Sequence, residues 1–367
     1  MKIKAAVTHE KGAPFQMEEV ELAAPKFGEL LVKIVACGIC HTDEAVQQQF
    51  IPVPLPAILG HEGAGIVESV GLGVEEFKVG DKVGISFASC GVCPNCQKAR
   101  PFVCKSLNKI NFGGIQPDGT SRLSTLDGKK ISTFFGQSSF ATYAVVNQNS
   151  AVKIAYDDID LGLVAPIGCG IQTGAGAVLN RLRPEFGSSI AVFGCGTVGM
   201  SAIMAAKIAG CAKIIAVGGN SKSLELALEL GATHTVNRRE VDDLVAAVKE
   251  ISDGGVSYSI DTTGNSDCVR QSLAFCDFDG TCVVVGATGD LTINVQNELM
   301  GDGKSLVGVL EGDAVPKDFI PKLLDYYRRG MFPIDRLIKF YPFEQINEAL
   351  EESHAGNCIK AVLRMDQ

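Results

Sequence analysis

The sequence predicts an α/β chain of two domains, one a doubly wound parallel sheet and the other a small, mostly antiparallel β-barrel. Three observations carry this prediction. At 367 residues the chain is too long for one ordinary core. Between Ser188 and Gly286 apolar strands alternate with helical stretches, the rhythm of a parallel sheet. Before Val83 short, Gly-punctuated strands follow one another with no helical stretch between most of them.

The first strands are Lys4–Val7 and Leu30–Val35, rich in aliphatic and β-branched residues. Then comes Cys37-Gly38-Ile39-Cys40-His41-Thr42-Asp43, a loop rich in Gln and Pro, and Gly60-His61-Glu62-Gly63. This span brings together a thiol, a hydroxyl, a carboxylate and an imidazole. Zinc chemistry uses such a mixture: a catalytic site holds the ion with three protein ligands and leaves a fourth position open. Cys40 and His61 are two candidate ligands, and the third must come from further along. A lone Cys or His is more often an ordinary buried residue, but the motifs that follow reverse those odds. Strands are expected again at Gly63–Gly71 and Phe77–Val83.

Cys90, Cys93, Cys96 and Cys104 come next, in the lobe spanning about 88–106. Four thiolates at this spacing suit a closed tetrahedral structural zinc site, which pins a loop with little core of its own. A redox Cys-x-x-Cys would need a thioredoxin-like βαβ setting, and none is present. Residues 105–150 read as loop-rich, returning to strand over Phe134–Val146. After Ile167-Gly168-Cys169-Gly170 the pattern turns helical, with Thr173 early in the helix. Cys169, just before it, is the candidate third zinc ligand.

From Ser188 the texture changes. The apolar strand Ser189–Phe193 runs into Gly194-Cys195-Gly196-Thr197-Val198-Gly199, and a helix of small residues covers Met200–Ile208. A G-x-G-x-x-G that follows a strand and opens a helix is a dinucleotide fingerprint, with the glycines and the helix N-terminus facing a pyrophosphate. Strands at Lys213–Val217, Thr233–Val236, Tyr258–Asp261 and Thr281–Gly286 alternate with helices at Leu224–Leu230, Val241–Ile251 and Ser266–Phe275. The tail reads as helices at Ile320–Arg329 and Phe343–Ser353, and strands at Leu337–Phe340 and Ile359–Leu363. The expected division is a catalytic domain of 1–169 plus 311–367 and a cofactor domain of 170–310.

A formal net charge of −9 argues against nucleic acid as a partner. No run of apolar residues suggests a membrane helix, and Met1-Lys2-Ile3-Lys4 lacks the apolar core of a signal peptide. A cytoplasmic protein is therefore expected, whose 13 cysteines stay reduced.

Assembled, these residues resemble the zinc-dependent medium-chain alcohol dehydrogenases over almost the whole length. The stretches Gly168–Gly176 and Pro52–Pro56 are most similar to the bacterial aryl-alcohol (benzyl alcohol) dehydrogenases. The resemblance implies a GroES-like barrel domain joined to a Rossmann domain. It implies two zinc ions per chain, the catalytic one held by Cys40, His61 and Cys169. It implies reversible oxidation of a primary aryl or allylic alcohol to an aldehyde with NAD(P). Thr42 would relay the proton, Asp43 would orient His61, and Glu62 would be a carboxylate near zinc. His41 and Lys360 would lie near the cofactor phosphates, and Thr173 beside the cofactor. Partners would be the small-molecule alcohol or aldehyde and further copies of the chain, as a homodimer or homotetramer. Alternatives are an aliphatic alcohol dehydrogenase or aldehyde reductase of the same fold, or, from another class, a non-catalytic dinucleotide-binding protein. The last is disfavoured because all three ligands are kept.

The sequence departs from the family at two points. Ala45 stands where some relatives end the relay in a histidine, so the last proton step must use water or another group. At the end of the second Rossmann strand NAD-dependent relatives carry an acid, whereas this chain reads Gly218-Gly219-Asn220-Ser221-Lys222. Loss of the acid removes the repulsion of a 2′-phosphate and leaves space. Asn220, Ser221 and Lys222 can donate to phosphate oxygens, and Arg238 and Arg239, which follow the third predicted strand, are candidates to approach the same pocket, so NADP is expected in preference to NAD.

Overall fold

The structure, a computed structural model, describes residues 1–365. It divides into two compact units. The first contains Met1–Cys169, Val315–Leu324 and the chain from Ile334 onward; the second contains Gly170–Ala314 and Asp325–Pro333. The stretches 311–314 and 325–333 therefore belong to the second unit, although the sequence division put all of 311–367 in the first.

The first unit holds a closed barrel of five strands, Lys2–Thr8, Gln16–Leu22, Leu123–Ser124, Lys130–Thr133 and Ala57–Ile58. Closure leaves no open edge. Its pairings are antiparallel except that of Ala57–Ile58 with Lys130–Thr133. A second sheet of seven strands is built around Glu29–Gly38. Phe134, Phe140, Ile58, Leu59 and Ile85 are among the fully buried side chains of the shared core.

The register of this second sheet gathers the site. Glu29–Gly38 pairs antiparallel with Glu62–Val70, with Gly38 opposite Glu62. Cys40, just beyond Gly38, and His61, just before Glu62, therefore meet at one end of the sheet. The final strand, Lys360–Arg364, also pairs antiparallel with Glu29–Gly38, with Val362 opposite Gly38, which brings Lys360 to the same end. Ser86, just beyond the strand Lys82–Ile85, donates through Oγ to the Gly168 carbonyl at 2.6 Å, which holds the backbone beside Cys169.

The second unit is a six-stranded, all-parallel sheet in the order His234–Asn237, Lys213–Gly218, Ser189–Phe193, Val256–Asp261, Cys276–Val284, Ser305–Gly308. Numbered along the chain this is 3-2-1-4-5-6, the Rossmann order. Strand order reverses at Ser189–Phe193, whose carboxyl end carries the Gly194 loop.

Several local expectations are corrected. His41–Gln47 is a helix, not loop, with Cys40 at its N-cap and Asp43 and Glu44 favourably placed in its first turn. Phe77–Asp81 is not strand; it turns, with the Asp81 carboxylate accepting the Lys78 N–H, and the strand begins at Lys82. Phe134–Thr142 is irregular, with Phe135 and Ser138 at φ 52° and 56°, and only Tyr143–Asn147 is strand. The helix expected from Val241 starts at Leu244, where the Asp243 side chain caps it by accepting the Ala246 N–H. The edge strand Ser305–Gly308 was not anticipated; it is half-exposed and lacks a continuous apolar signal. Among the described residues no single helix is long and apolar enough to cross a membrane.

Candidate active site

Cys40, His61, Glu62 and Cys169 place one donor atom each within 4.8 Å of one another. All four belong to the first unit. His61 is fully buried. Its Nδ1 lies 3.0 Å from Asp43 Oδ1, while its Nε2 is buried with no hydrogen-bonding partner. A buried, unpartnered ring nitrogen is costly unless it ligates something. The donor chemistry, two thiolates and an imidazole, suits Zn²⁺. The Cys169 thiol hydrogen-bonds Cys40 and, against the effect of burial and with help from the His61 charge, holds Cys40 well below the ordinary thiol range. Cys40 is thus favoured as the thiolate, the form that binds metal.

Asp43 fixes this arrangement. Its fully buried carboxylate accepts from the Cys40 N–H at 3.0 Å, the Gly60 N–H at 3.0 Å and the imidazole. Burial disfavours charge on His61, but Asp43 and then Cys40 hold its pKa well above the usual imidazole value. With Nδ1–H donating to Asp43, Nε2 is the ring nitrogen left to a metal, which would displace its proton on binding. Asp43→Asn keeps the shape but weakens this acceptor, and metal affinity at the site is expected to fall about 10- to 100-fold. Chelator competition followed by metal content measures this; unchanged affinity would remove Asp43 from the orienting role.

Thr42 lies on the helix His41–Gln47, half-buried, with Oγ1 3.7 Å from Cys40 Sγ. His41 is exposed, with Nδ1 3.3 Å from Glu44. Ala45 is on the same helix and offers no proton acceptor.

Glu62 lies among the zinc donors as expected, but Lys360 differs from expectation. Lys360 is not at a phosphate-accessible surface. It is 3% exposed, and its Nζ donates to both Glu62 oxygens, at 3.0 and 2.8 Å, and to the Ile39 carbonyl at 2.8 Å. Burial pushes the Glu62 carboxyl up to about 7, with the Lys360 ammonium opposing it. Burial disfavours charge on Lys360, but Glu62 more than offsets this and keeps it protonated. The reason for the correction is the pairing of the last strand with Glu29–Gly38, which carries Lys360 inward.

Sequence reasoning missed the loop over His61. Gln137 donates through Nε2 to the His61 carbonyl at 2.9 Å and accepts from the Gly63 N–H at 3.3 Å. The Phe135 ring tilts over the imidazole at a centroid distance of 4.5 Å, and Phe134 meets it edge-on at 5.3 Å. These contacts span long sequence separations, and the only trace in the sequence is the aromatic pair itself.

Cys90, Cys93, Cys96 and Cys104 also lie with their sulfurs mutually within 4.8 Å. Each of the 13 cysteines is a free thiol. Cys93 and Cys96 sulfurs are 3.6 Å apart, and Cys90 and Cys96 3.9 Å. A disulfide needs about 2 Å, whereas the edge of a tetrahedron with Zn–S bonds of 2.3 Å is about 3.8 Å. Backbone N–H groups of Cys93, Cys90 and Ser106 point at Cys90 or Cys104 sulfurs at 3.3–3.4 Å. Backbone N–H groups, first of Cys96, then of Lys105, bring Cys93 down to about 6, while burial pushes Cys96 up to about 12. A divalent cation would resolve this mixture by deprotonating all four.

In the second unit Gly194 takes φ 104°, the left-handed turn that L side chains avoid. Gly196, the N-cap of the helix Thr197–Ala209, faces open space, so a pyrophosphate can approach its backbone, with Thr197, Val198 and Gly199 following in the first turn. Thr173 is buried within the helix Gly170–Gly176. Gly218 is corrected. It is buried, and a Cβ there would lie 3.0 Å from Cys195 Sγ, so it does not open space. Asn220 spends its side-chain oxygen on capping the helix Ser221–Leu230, accepting from the Lys222 and Ser223 N–H groups. Ser221 Oγ lies 3.4 Å from Asn237 Nδ2, and Lys222 is exposed.

A Rossmann sheet in one unit and a Cys-His-Cys donor set in the other define a zinc- and nicotinamide-using oxidoreductase. Comparison with known proteins agrees. The family model described as alcohol dehydrogenase GroES-like domain matches residues 26–156, and that described as zinc-binding dehydrogenase matches 197–327. The chain is 44% identical to geraniol dehydrogenase of Castellaniella defragrans, over 98% of this chain and 97% of that one. Among solved structures it is similar to an alcohol dehydrogenase zinc-binding domain protein from Burkholderia ambifaria, with 46% identity and a TM-score of 0.97. It is also similar to benzyl alcohol dehydrogenase from Acinetobacter calcoaceticus, with 43% identity and a TM-score of 0.95; both matches cover 100% of each chain. The chain belongs to the zinc-dependent medium-chain alcohol dehydrogenases.

Proposed function

We propose that the enzyme interconverts primary aryl or allylic alcohols and their aldehydes, holds two zinc ions per chain, and prefers NADP to NAD. The observation that carries the zinc chemistry is the buried, unpartnered His61 Nε2 grouped with Cys40 and Cys169. The substrate class rests on similarity along the whole chain to a geraniol dehydrogenase and a benzyl alcohol dehydrogenase.

When bound, zinc supplies a Lewis acid to polarise the alcohol oxygen, and the nicotinamide supplies the hydride acceptor. Cys40, His61 and Cys169 would hold the ion. Lys360 engages both oxygens of the fourth donor, Glu62, which favours leaving a position for substrate. Thr42 takes the alcohol proton and passes it on. Asp43 and Gln137 keep His61 in place from its ring and its backbone. Phe134 and Phe135 cover the imidazole and exclude water from that side.

Steady-state rates for benzylic, allylic and aliphatic alcohols with both cofactors test the proposal. Higher kcat/KM for benzylic or allylic alcohols with NADP is expected. A preference for aliphatic alcohols would overturn the substrate class, and a preference for NAD the cofactor assignment. Gly218→Asp should shift the kcat/KM ratio toward NAD by about tenfold or more, because a carboxylate there attracts the ribose hydroxyls and repels a 2′-phosphate. Cys195 and Leu224 must both yield slightly to admit it.

A further inference from the structure

We propose that Arg238 and Arg239 form the clamp that recognises the cofactor's 2′-phosphate, with glycine at 219 letting the two guanidiniums converge. This assignment rests on the NADP reading above and names the residues that would carry it. A Cβ built on Gly219 would lie 3.1 Å from Nε of Arg238 and 3.1 Å from Nε of Arg239. Two guanidiniums therefore converge on one point, just beyond the carboxyl end of the strand Lys213–Gly218. That is where a Rossmann domain handles the adenosine ribose. The crowding also explains glycine at 219, since a side chain would displace both arginines.

The backbone that carries them is fixed. The Arg238 N–H donates to the Gly218 carbonyl at 2.8 Å, and the Arg239 N–H to Asn237 Oδ1 at 3.1 Å. Asn237 Nδ2 in turn donates to Glu240 at 2.6 Å, which engages that carboxylate away from the arginines. Both arginines are exposed, and both line a cavity of about 380 Å³ with Asp242, Leu244 and Gln271. Arg238 Nη1 meets the Cys268 thiol at 4.0 Å, and among the described residues no carboxylate pairs with either guanidinium, Asp242 included.

Two like charges held together without a counter-ion repel each other. A phosphate dianion removes that cost, and a guanidinium fork matches its oxygens. A carboxylate at position 218 would compete for the same forks. Its replacement by glycine and the presence of two arginines point the same way. The sequence singled out Asn220, Ser221 and Lys222 for this role and offered Arg238 and Arg239 only as candidates to approach the same pocket. The structure moves the emphasis to the turn after the next strand, His234–Asn237, which pairs parallel with Lys213–Gly218 and brings Arg238 alongside.

Calorimetric titration of the full enzyme with adenosine 2′,5′-bisphosphate and with 5′-AMP tests the assignment without turnover. The unmodified enzyme should bind the bisphosphate more tightly. Arg238→Ala and Arg239→Ala should each weaken the bisphosphate by about tenfold or more, the scale of a hydrogen bond to a charged group. Binding of 5′-AMP should change little, which also shows that the variants fold. If the unmodified enzyme discriminates but the double variant discriminates equally well, the arginine assignment is wrong while the NADP reading stands. If the unmodified enzyme binds both nucleotides equally, the NADP reading fails and the clamp with it.

Discussion

Cys40→Ser should abolish alcohol oxidation while the chain stays folded. The thiolate matters for its charge and softness. The Cys169 hydrogen bond and the His61 charge favour its anionic form despite burial, whereas a serine hydroxyl stays protonated at any working pH and offers a hard, neutral oxygen. A Lewis acid contributes several kcal/mol of transition-state stabilisation. At about 1.4 kcal/mol per tenfold, its loss lowers kcat by roughly 10³-fold or more. The fold should survive, because Cys40 is half-buried at the start of a short helix and the Asp43 carboxylate holds the backbone N–H of residue 40, not its side chain. Cys93→Ser should do the reverse. The helix Pro94–Gln97 buries none of its residues, and between 88 and 106 only Ala88, Phe102 and Cys104 are buried, so the lobe depends on its four sulfurs more than on a core. Elemental analysis should find two zinc ions in the unmodified chain and one in each variant. Thermal melting should fall chiefly for Cys93→Ser, and kcat chiefly for Cys40→Ser. Full turnover by Cys40→Ser, or active unmodified enzyme free of zinc, would refute the two-site reading.

Thr42→Ala should lower kcat by roughly 10²-fold, the lower end of what a positioned proton carrier contributes, and Thr42→Ser should be mild. Alcohol oxidation sheds a proton as well as a hydride, so the rate depends on an exit for that proton. The Thr42 hydroxyl is half-buried and 3.7 Å from Cys40 Sγ, the one hydroxyl the helix His41–Gln47 carries to the metal ligands. A methyl in its place leaves the packing nearly intact and removes the donor and acceptor together. The pH dependence of kcat separates this role from a packing role: the Ala variant should depend more steeply on pH or on added buffer base, because solvent must then take the proton directly. Ala45, on the same helix, offers no side chain for the next step, which falls to water or another group. An Ala variant with unchanged kcat and pH profile would remove Thr42 from the proton path.

Much of this site was legible because its chemistry is written in local spacing. Cys90, Cys93, Cys96 and Cys104 lie close along the chain, so a metal can gather them whatever the remainder does. Gly194–Gly199 was recognisable for a similar reason, since a strand, a tight turn and a helix are consecutive. Lys360 was misplaced because its surroundings depend on a strand pairing across most of the chain, which turns an apparently ordinary lysine into the buried partner of Glu62. Gln137 was invisible because its partners, His61 and Gly63, are remote and a polar residue in an irregular loop carries no pattern. The helix at His41–Gln47 was hidden by its brevity and its run of glutamines.

By itself, then, the sequence determined the two-domain α/β class, the four-cysteine candidate metal lobe and the dinucleotide turn, because periodicity, cysteine spacing and glycine placement act over a few neighbouring residues. Only the tertiary structure decided where side chains from distant segments point. It turned Lys360 inward to Glu62 and Gln137 onto the His61 backbone. It also brought Arg238 and Arg239 to Gly219, beside a Gly218 that is itself closely packed. Those outcomes follow from sheet register and close packing, which no short stretch of chain encodes.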